Sequence, residues 1–166
     1  MDVFSRTFLP ATSEAGLAIP VVSRHMPVLR RCVTPEETTV LVTRCQRPAT
    51  PMAGAFLLLL TNRRLVISRE GRLLRRAQLH LSAPLRELTN VIWISDERAP
   101  AIELAVTGVD GIRERFWIPL PDQFRVRHVD ALLSHAFRPR TGEATPYYPA
   151  PRSARGRTST RTLAPT

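Results

Sequence analysis

Lysine is absent from this chain of 166 residues, so all 24 of its lysine-or-arginine positions are arginine. Arginine presents a planar fork that holds a phosphate or a carboxylate through two hydrogen bonds. The formal net charge is +10, but residues 138–166 alone contain six arginines against one acid. The part of the chain expected to be globular is therefore only mildly basic. Because interleaved aromatic residues are also scarce, we do not expect nucleic acid as the partner.

Cysteine and long apolar runs are scarce as well, which argues against a disulfide-rich protein, a zinc ribbon and a membrane-spanning protein. Two cysteines, Cys32 and Cys45, cannot build a disulfide framework, and their spacing does not match a zinc ribbon. We expect two reduced thiols, with a disulfide between them as the less favoured alternative. The longest strongly apolar run, residues 53–60, is too short to span a bilayer, and no signal-peptide pattern is visible. The sequence predicts a cytoplasmic protein, with peripheral membrane contact as a further option.

Motifs of enzymes and metal sites are missing too. The sequence contains no Gly-x-Ser-x-Gly elbow, no phosphate-binding loop and no His-Glu-x-x-His motif. Its histidines are scattered, and His128 and His135 would lie about 10 Å apart along a helix, too far to share one ion. We therefore expect no catalytic residue, no cofactor and no metal. An enzyme whose site is assembled from scattered residues is the weakest alternative.

Short strand patterns dominate the middle of the chain. An apolar run, residues 55–60, meets Thr61 and Asn62 and returns through Leu65. This pattern predicts a tight hairpin, because asparagine tolerates the positive φ that such turns demand. Alternation of apolar and polar residues predicts most of the other strands, and the short apolar run at residues 91–94 is interpreted as the fifth. The seven predicted strands cover residues 38–45, 55–60, 64–68, 77–82, 91–94, 102–106 and 112–118.

After the last predicted strand, the apolar period changes from two to about 3.6 residues. One stripe of a helix is formed by Val129, Leu132, Leu133, Ala136 and Phe137. Asp122 is the predicted N-cap of this helix. A sheet of seven strands must close or be plugged to hide its apolar interior, and this helix is the predicted plug. The predicted fold class is mainly β, a bent antiparallel barrel or sandwich capped by a C-terminal helix.

The two ends of the chain differ from this centre. Residues 1–32 contain three prolines, and Pro27 is expected to break any helix placed across it. We interpret this segment as a loosely packed N-terminal arm or a short helix. Residues 139–166 are rich in Pro, Ser, Thr and Arg with few apolar anchors, which predicts a disordered tail. The predicted domain occupies residues 33–138.

The hairpin turn resembles a motif of the bacterial pleckstrin-homology-like family. Residues 60–65 are Leu-Thr-Asn-Arg-Arg-Leu, which is similar to the Leu-Thr-Asp/Asn-x-Arg-Leu turn of that family. Residues 81–91 are similar to the family's succession of an apolar strand, a short turn and a valine. The resemblance covers about residues 33–137. It implies a seven-stranded, strongly bent sheet capped by a C-terminal helix. It also implies a binding role, because eukaryotic relatives bind phosphoinositides, peptides or proteins.

The chain departs from the lipid-binding members of that family in its first two strands. Those members place basic residues on both strands, around the loop that connects them. Here the region offers Arg44 and Arg47, followed by a purely apolar second strand. The departure disfavours specific recognition of an inositol phosphate.

Arginines are densest around the predicted Glu70-Gly71 turn. Four candidate anion- or partner-binding residues flank it, namely Arg69, Arg72, Arg75 and Arg76. Convergence of these side chains would suit an anionic headgroup, a phosphate or an acidic partner. The alternative, which we favour, is solvated charge that protects a hairpin from edge-to-edge aggregation.

A second set of candidates lies on the seventh predicted strand, where Arg113, Arg115 and Trp117 share one face. An exposed Trp beside two arginines is typical of an interface anchor, whereas a Trp packed against the barrel is the structural alternative. We expect a non-catalytic binding or adaptor module. The expected partner is another protein, and a homo-oligomer is allowed. The alternative is peripheral binding of anionic phospholipid through the turn arginines and the tail.

Overall fold

The computed structural model describes residues 2–48, 55–71, 76–96 and 98–137. The elements in chain order are α1 (Val3–Glu14), α2 (Ile19–Cys32), β1 (Thr39–Cys45), β2 (Phe56–Thr61), β3 (Arg64–Glu70), β4 (Ala77–Pro84), a 3₁₀ turn (Leu85–Glu87), β5 (Thr89–Asp96), β6 (Ala101–Thr107), β7 (Arg113–Pro119) and α3 (Gln123–Ala136). The predicted tail, residues 139–166, lies outside the described residues, as do the candidates Arg72 and Arg75.

Two antiparallel sheets form the centre of the protein. The four-stranded sheet has the order β1-β2-β3-β4, and the three-stranded sheet has the order β5-β6-β7. The sheets are joined at one corner, where the backbones of Gln46 and Trp117 exchange hydrogen bonds of 2.8 and 2.7 Å. The sheets do not close into a continuous barrel. The predicted class, a mainly β protein with a seven-stranded antiparallel sandwich and a C-terminal helix, is confirmed.

The main core lies between the two sheets and under α3. Its fully buried members include Leu58, Leu60 and Ile67 from one sheet and Ile102, Leu104 and Phe116 from the other. The helix α3 adds Val126, Val129 and Leu133, and its N-cap, Asp122, accepts a 2.8 Å hydrogen bond from the backbone N–H of Arg125. The indole N–H of Trp93 on β5 donates to the Asp130 carboxylate of α3 at 2.8 Å. The helix therefore plugs the sandwich, as its apolar stripe predicts.

The N-terminal segment differs from the expected loose arm or short helix, because it forms two helices packed on the sheet. Asp2 begins α1 by accepting a 2.7 Å hydrogen bond from the backbone N–H of Ser5. The helices cover the outer face of the four-stranded sheet and form a second core with it. The buried members of this core are Phe4, Phe8, Val22, Leu29, Val42, Leu57, Leu59 and Val66. Strand β2 is consequently buried on both faces, which explains its unbroken apolar sequence.

Proline does not end either helix. Pro10 lies inside α1, and Pro27 lies inside α2 where the sequence predicts a break. Both prolines are on the exposed side of their helix. A proline in a helix interior costs about 3 kcal/mol, and each large apolar side chain that becomes buried contributes about 2 kcal/mol. Packing of α1 and α2 on the sheet, through residues such as Phe8 and Leu29, therefore outweighs the local penalty.

The β2–β3 turn is stabilised by side chains rather than by a positive φ at Asn62. Among the described non-glycine residues, a positive φ is found at Asn90. The Thr61 hydroxyl accepts the backbone N–H of Arg64 at 3.0 Å and donates to the buried Glu37 carboxylate at 2.6 Å. The other oxygen of that carboxylate accepts from Arg64 Nε at 3.0 Å. The Leu-Thr-Asn-Arg-Arg-Leu sequence thus supplies two of the groups that satisfy a buried acid.

Candidate functional site

The outer faces of the two sheets differ in what covers them. The outer face of the four-stranded sheet is covered by α1 and α2. Within the described part of the chain, nothing packs on the outer face of the three-stranded sheet. We call that surface the β5–β7 face, and its side chains are Ile92, Ile94, Glu103, Ala105, Arg113, Arg115 and Trp117.

The β5–β7 face carries apolar side chains on its two outer strands. The register places Ile94 opposite Glu103, and Glu103 opposite Trp117 on the next strand. Ile94 is 66% exposed and Ile92 is 51% exposed, although both lie in the middle of a strand. Trp117 is half-buried. Ile94, Glu103 and Trp117 also line a surface depression of about 340 Å³. The two exposed isoleucines form an apolar patch on β5, of the kind found at interaction sites, and Trp117 adds apolar area on the other side of Glu103.

Charged side chains lie beside these apolar residues, on β6 and β7. Arg115 forms an ion pair with Glu103 on the neighbouring strand. Arg113 Nη1 donates to the backbone carbonyl of Asn90 at 3.1 Å and to the Thr107 hydroxyl at 3.3 Å. Both acceptors of Arg113 are neutral, so within the described residues its charge is not balanced by a carboxylate.

The structure places three of the predicted site residues on this face. Arg113, Arg115 and Trp117 project from β7 on the same side, and Ile92 and Ile94 join them from β5. The isoleucines were missed because Val-Ile-Trp-Ile is apolar throughout and resembles a strand buried on both faces. The alternation that separates outward Ile92 and Ile94 from inward Trp93 is hidden in such a run.

The arginines of the β3–β4 hairpin form a separate group. Arg69 and Arg76 are exposed, and Arg69 Nη2 donates to the side-chain oxygen of Gln78 at 3.3 Å. Glu70, the acid of this turn, instead accepts from Arg24 of α2 at 2.7 Å. The other two candidates, Arg72 and Arg75, lie outside the described residues. No α-helix in the described ranges combines the length and the apolarity needed to cross a membrane.

A third polar cluster lies between the sheets. Glu114 on β7 has a 15% exposed side chain and lies 3.0 Å from Arg47 Nη2. His80 Nε2 on β4 lies 3.5 Å from its other oxygen, and the His80 ring packs edge-on against Phe56 and Phe116. The cluster is a charged cross-link between the sheets. In the described part of the chain, no group of three or more His, Cys, Asp and Glu side chains has a metal-holding arrangement.

Cys45 is unsuited to form a reactive site. Cys32 and Cys45 are both free thiols, and Cys45 is buried in the main core. Burial raises the pKa of the Cys45 thiol far above its ordinary value. A thiol that stays protonated is a poor nucleophile and a poor metal ligand.

Comparisons with known proteins give distant structural likenesses. No protein-family model matches the chain, and no curated protein matches it. Among solved structures, the chain is similar to the DH/PH domains of a p115-RhoGEF mutant, with 12% identity and a TM-score of 0.46 over 70% of this chain and 36% of that one. It is also similar to Vav1 inhibited by an allosteric inhibitor, with 8% identity and a TM-score of 0.40 over 60% of this chain and 26% of that one. The chain thus spans well under half the length of either structure. The strand order and the position of α3, rather than these likenesses, identify the fold.

Proposed function

We propose that the protein is a non-catalytic binding module that docks another protein on its β5–β7 face. The supporting observation is the contrast between the two outer sheet faces. One is covered by the chain's own helices, while the other presents Ile92, Ile94 and Trp117 without cover in the described residues. Trp and Arg are enriched among the residues that contribute most to binding energy at protein interfaces.

The chemistry of the face favours a partner with apolar side chains and an acidic group. Ile92 and Ile94 offer apolar area to the partner. Arg113 is held along the face by neutral acceptors and can pair with a carboxylate when water is displaced. Arg115 is already paired with Glu103 and contributes less.

Affinity capture with matched variants tests this proposal. The full chain, carrying an affinity tag, is cross-linked in a lysate of its source cells and compared with Ile94→Arg and Trp117→Ala. Ile112→Arg is the matched control, because Ile112 is also an exposed isoleucine but lies in the β6–β7 turn. We expect one stoichiometric partner that both face variants lose and the control retains.

Two results would contradict the proposal. The first is a partner that binds all the variants equally, because the interaction would then use another surface. The second is recovery of no stoichiometric partner from any fraction. Folding of each variant is checked by its thermal unfolding midpoint, so that loss of binding is not mistaken for loss of structure.

A second candidate function is peripheral binding of anionic phospholipid. It is favoured by the exposed Arg69 and Arg76, which flank the same hairpin turn on β3 and just before β4. Co-sedimentation with phosphatidylcholine vesicles, with and without phosphatidylserine, tests it over a salt series. Binding should require the anionic lipid, weaken with salt, and fall in Arg69→Gln and Arg76→Gln but not in the exposed control Arg86→Gln. Absence of binding at low salt would remove this candidate.

A further inference from the structure

Strand β5 is a free edge of the three-stranded sheet. Its described hydrogen-bonded neighbour is β6. In the part of the chain that the structure describes, the backbone groups of residues 91–95 form no hydrogen bond to any segment other than β6. The helix α3 contacts β5 through the inward Trp93 side chain. The backbone N–H and C=O groups of β5 that point away from β6 are therefore open.

The edges of β1 and β7 are occupied, because the end of β1 and the edge of β7 meet at the bridge between Gln46 and Trp117. Strand β4 is the other terminal strand of the first sheet, and α2 packs on the face of that sheet beside it. Strand β5 is an exposed edge on which another strand can be added without displacing a described element, and its apolar sequence distinguishes it from β4.

Strand β5 also carries few of the devices that keep natural edge strands apart. Such devices are charged side chains, proline, very short strands and bulges. Strand β5 has eight residues, and residues 90–95, with the sequence Asn-Val-Ile-Trp-Ile-Ser, contain neither charge nor proline. Its one irregularity lies at its start, between Thr89 and Ile92. An apolar edge of this kind is a template for pairing.

The sequence of β5 is complementary to itself in one antiparallel register. A two-fold axis at Trp93 places Ile92 of each copy opposite Ile94 of the other, and both side chains are on the exposed face. The same register pairs Val91 with Ser95 and brings the two Trp93 side chains together on the inner side. Aromatic and β-branched cross-strand pairs stabilise sheets. No like charges oppose each other in these pairs, because residues 91–95 are uncharged.

We propose that the protein forms a two-fold symmetric dimer in which the β5 strands of two copies pair antiparallel about Trp93. The two three-stranded sheets then form one six-stranded sheet. The β5–β7 faces of both copies become continuous, so a partner protein meets a doubled docking surface. The dimer does not depend on that partner, because both strands come from this chain.

Sedimentation of the purified full chain over a concentration series tests the dimer. We expect a reversible dimer. We expect Ile94→Lys to raise its dissociation constant at least about tenfold, because the substitution is present in both copies and places a charge in each cross-strand pair. Ile112→Lys is the control, since that isoleucine is exposed but lies outside β5. A monomer at all concentrations, or a dimer that Ile94→Lys does not weaken, would overturn the proposal.

Disulfide trapping tests the register independently of any loss of folding. Ile92→Cys and Ile94→Cys are made separately in a Cys32→Ser background and oxidised alone or as an equimolar mixture. Directly opposed positions have Cβ atoms about 5 Å apart and diagonal positions about 7 Å. The mixture should therefore cross-link faster than either variant alone, and equal or absent cross-linking would refute the register. Because no partner is present, these failures are distinct from failure of the docking proposal.

Discussion

The imidazole of His25 on α2 shares a 2.7 Å hydrogen bond with the hydroxyl of Ser68 on β3, and both side chains are buried. The contact joins the N-terminal helices to the sheet that they cover. Burial lowers the pKa of His25 below its ordinary 6.5, while the nearby Glu70 acts to raise it and Arg24 acts to lower it. The folded protein therefore favours the neutral imidazole, and α2 is bound to the sheet in that form.

The first prediction concerns the pH dependence of stability. Because the pKa of His25 is lower in the folded protein than in the unfolded chain, the unfolded chain binds the proton first as the pH falls. His25 therefore makes the free energy of unfolding decrease below about pH 6.5. We expect thermal unfolding of His25→Gln to vary less between about pH 7.5 and about pH 5.5 than that of the native chain.

The exposed His135 supplies the control for this experiment. His135→Gln should keep the native pH dependence, because His135 lies on the outer side of α3. The comparison uses the slope of stability against pH and not the midpoint itself, since His25→Gln also changes packing. Identical slopes for the native chain and His25→Gln would contradict the prediction.

The second prediction concerns the packing of α1. Phe8 is fully buried against the four-stranded sheet, and its ring centroid lies 5.2 Å from that of Phe4. Phe8→Ala should lower the free energy of unfolding by about 4 kcal/mol. The next residue, Leu9, is 45% exposed, so Leu9→Ala should cost less than about 1 kcal/mol. Urea denaturation measures both values, and similar small costs would show that α1 unfolds separately from the sandwich.

The third prediction concerns the buried carboxylate beneath the β2–β3 turn. Glu37 is 0% exposed and accepts hydrogen bonds from Thr61, Arg64 and the backbone N–H of Thr34. Glu37→Ala leaves these donors without their acceptor and should cost about 3 kcal/mol. The exposed neighbour Glu36 is the control, and Glu36→Ala should remain within about 0.5 kcal/mol. Denaturant unfolding checks this, and equal stability of the two variants would refute it.

The fourth prediction concerns the attachment of α3 to β5. The Trp93 indole donates to Asp130, and this bond is partly buried. Asp130→Ala should cost about 1 kcal/mol and shift the Trp93 fluorescence, which is isolated by working in a Trp117→Phe background. Arg127→Ala, an exposed substitution on the same helix, should change neither. An unchanged Trp93 spectrum in Asp130→Ala would show that the bond is not formed in solution.

Apolar periodicity in the sequence predicted the helix and the strands whose buried faces it marks. The apolar stripe of α3 predicted the buried Val129 and Leu133, and alternation predicted β4, β6 and β7. The hairpin at Asn62 was predicted in the right place, but its stabilising groups were not. Glu37 lies 24 residues before Thr61, and no spacing rule relates two such positions.

The N-terminal helices were missed for a physical reason. Local propensity counts the cost of Pro10 and Pro27 but not the burial of Phe8 and Leu29 on a sheet formed later in the chain. One signal was available in the sequence. A five-residue apolar run without alternation, as in β2, indicates a strand covered on both faces, and α1 and α2 supply the second cover.

Apolar periodicity predicted the seven strands, their antiparallel hairpins and the capping helix, because it acts between residues a few positions apart in the chain. The choice of which outer sheet face is covered became visible in the folded protein alone. That outcome depends on where α1 and α2 dock, which is a balance of burial between segments distant in the chain. The same docking leaves Ile92, Ile94 and Trp117 on the other sheet without cover from any described segment, and this is the face on which we propose that a partner docks.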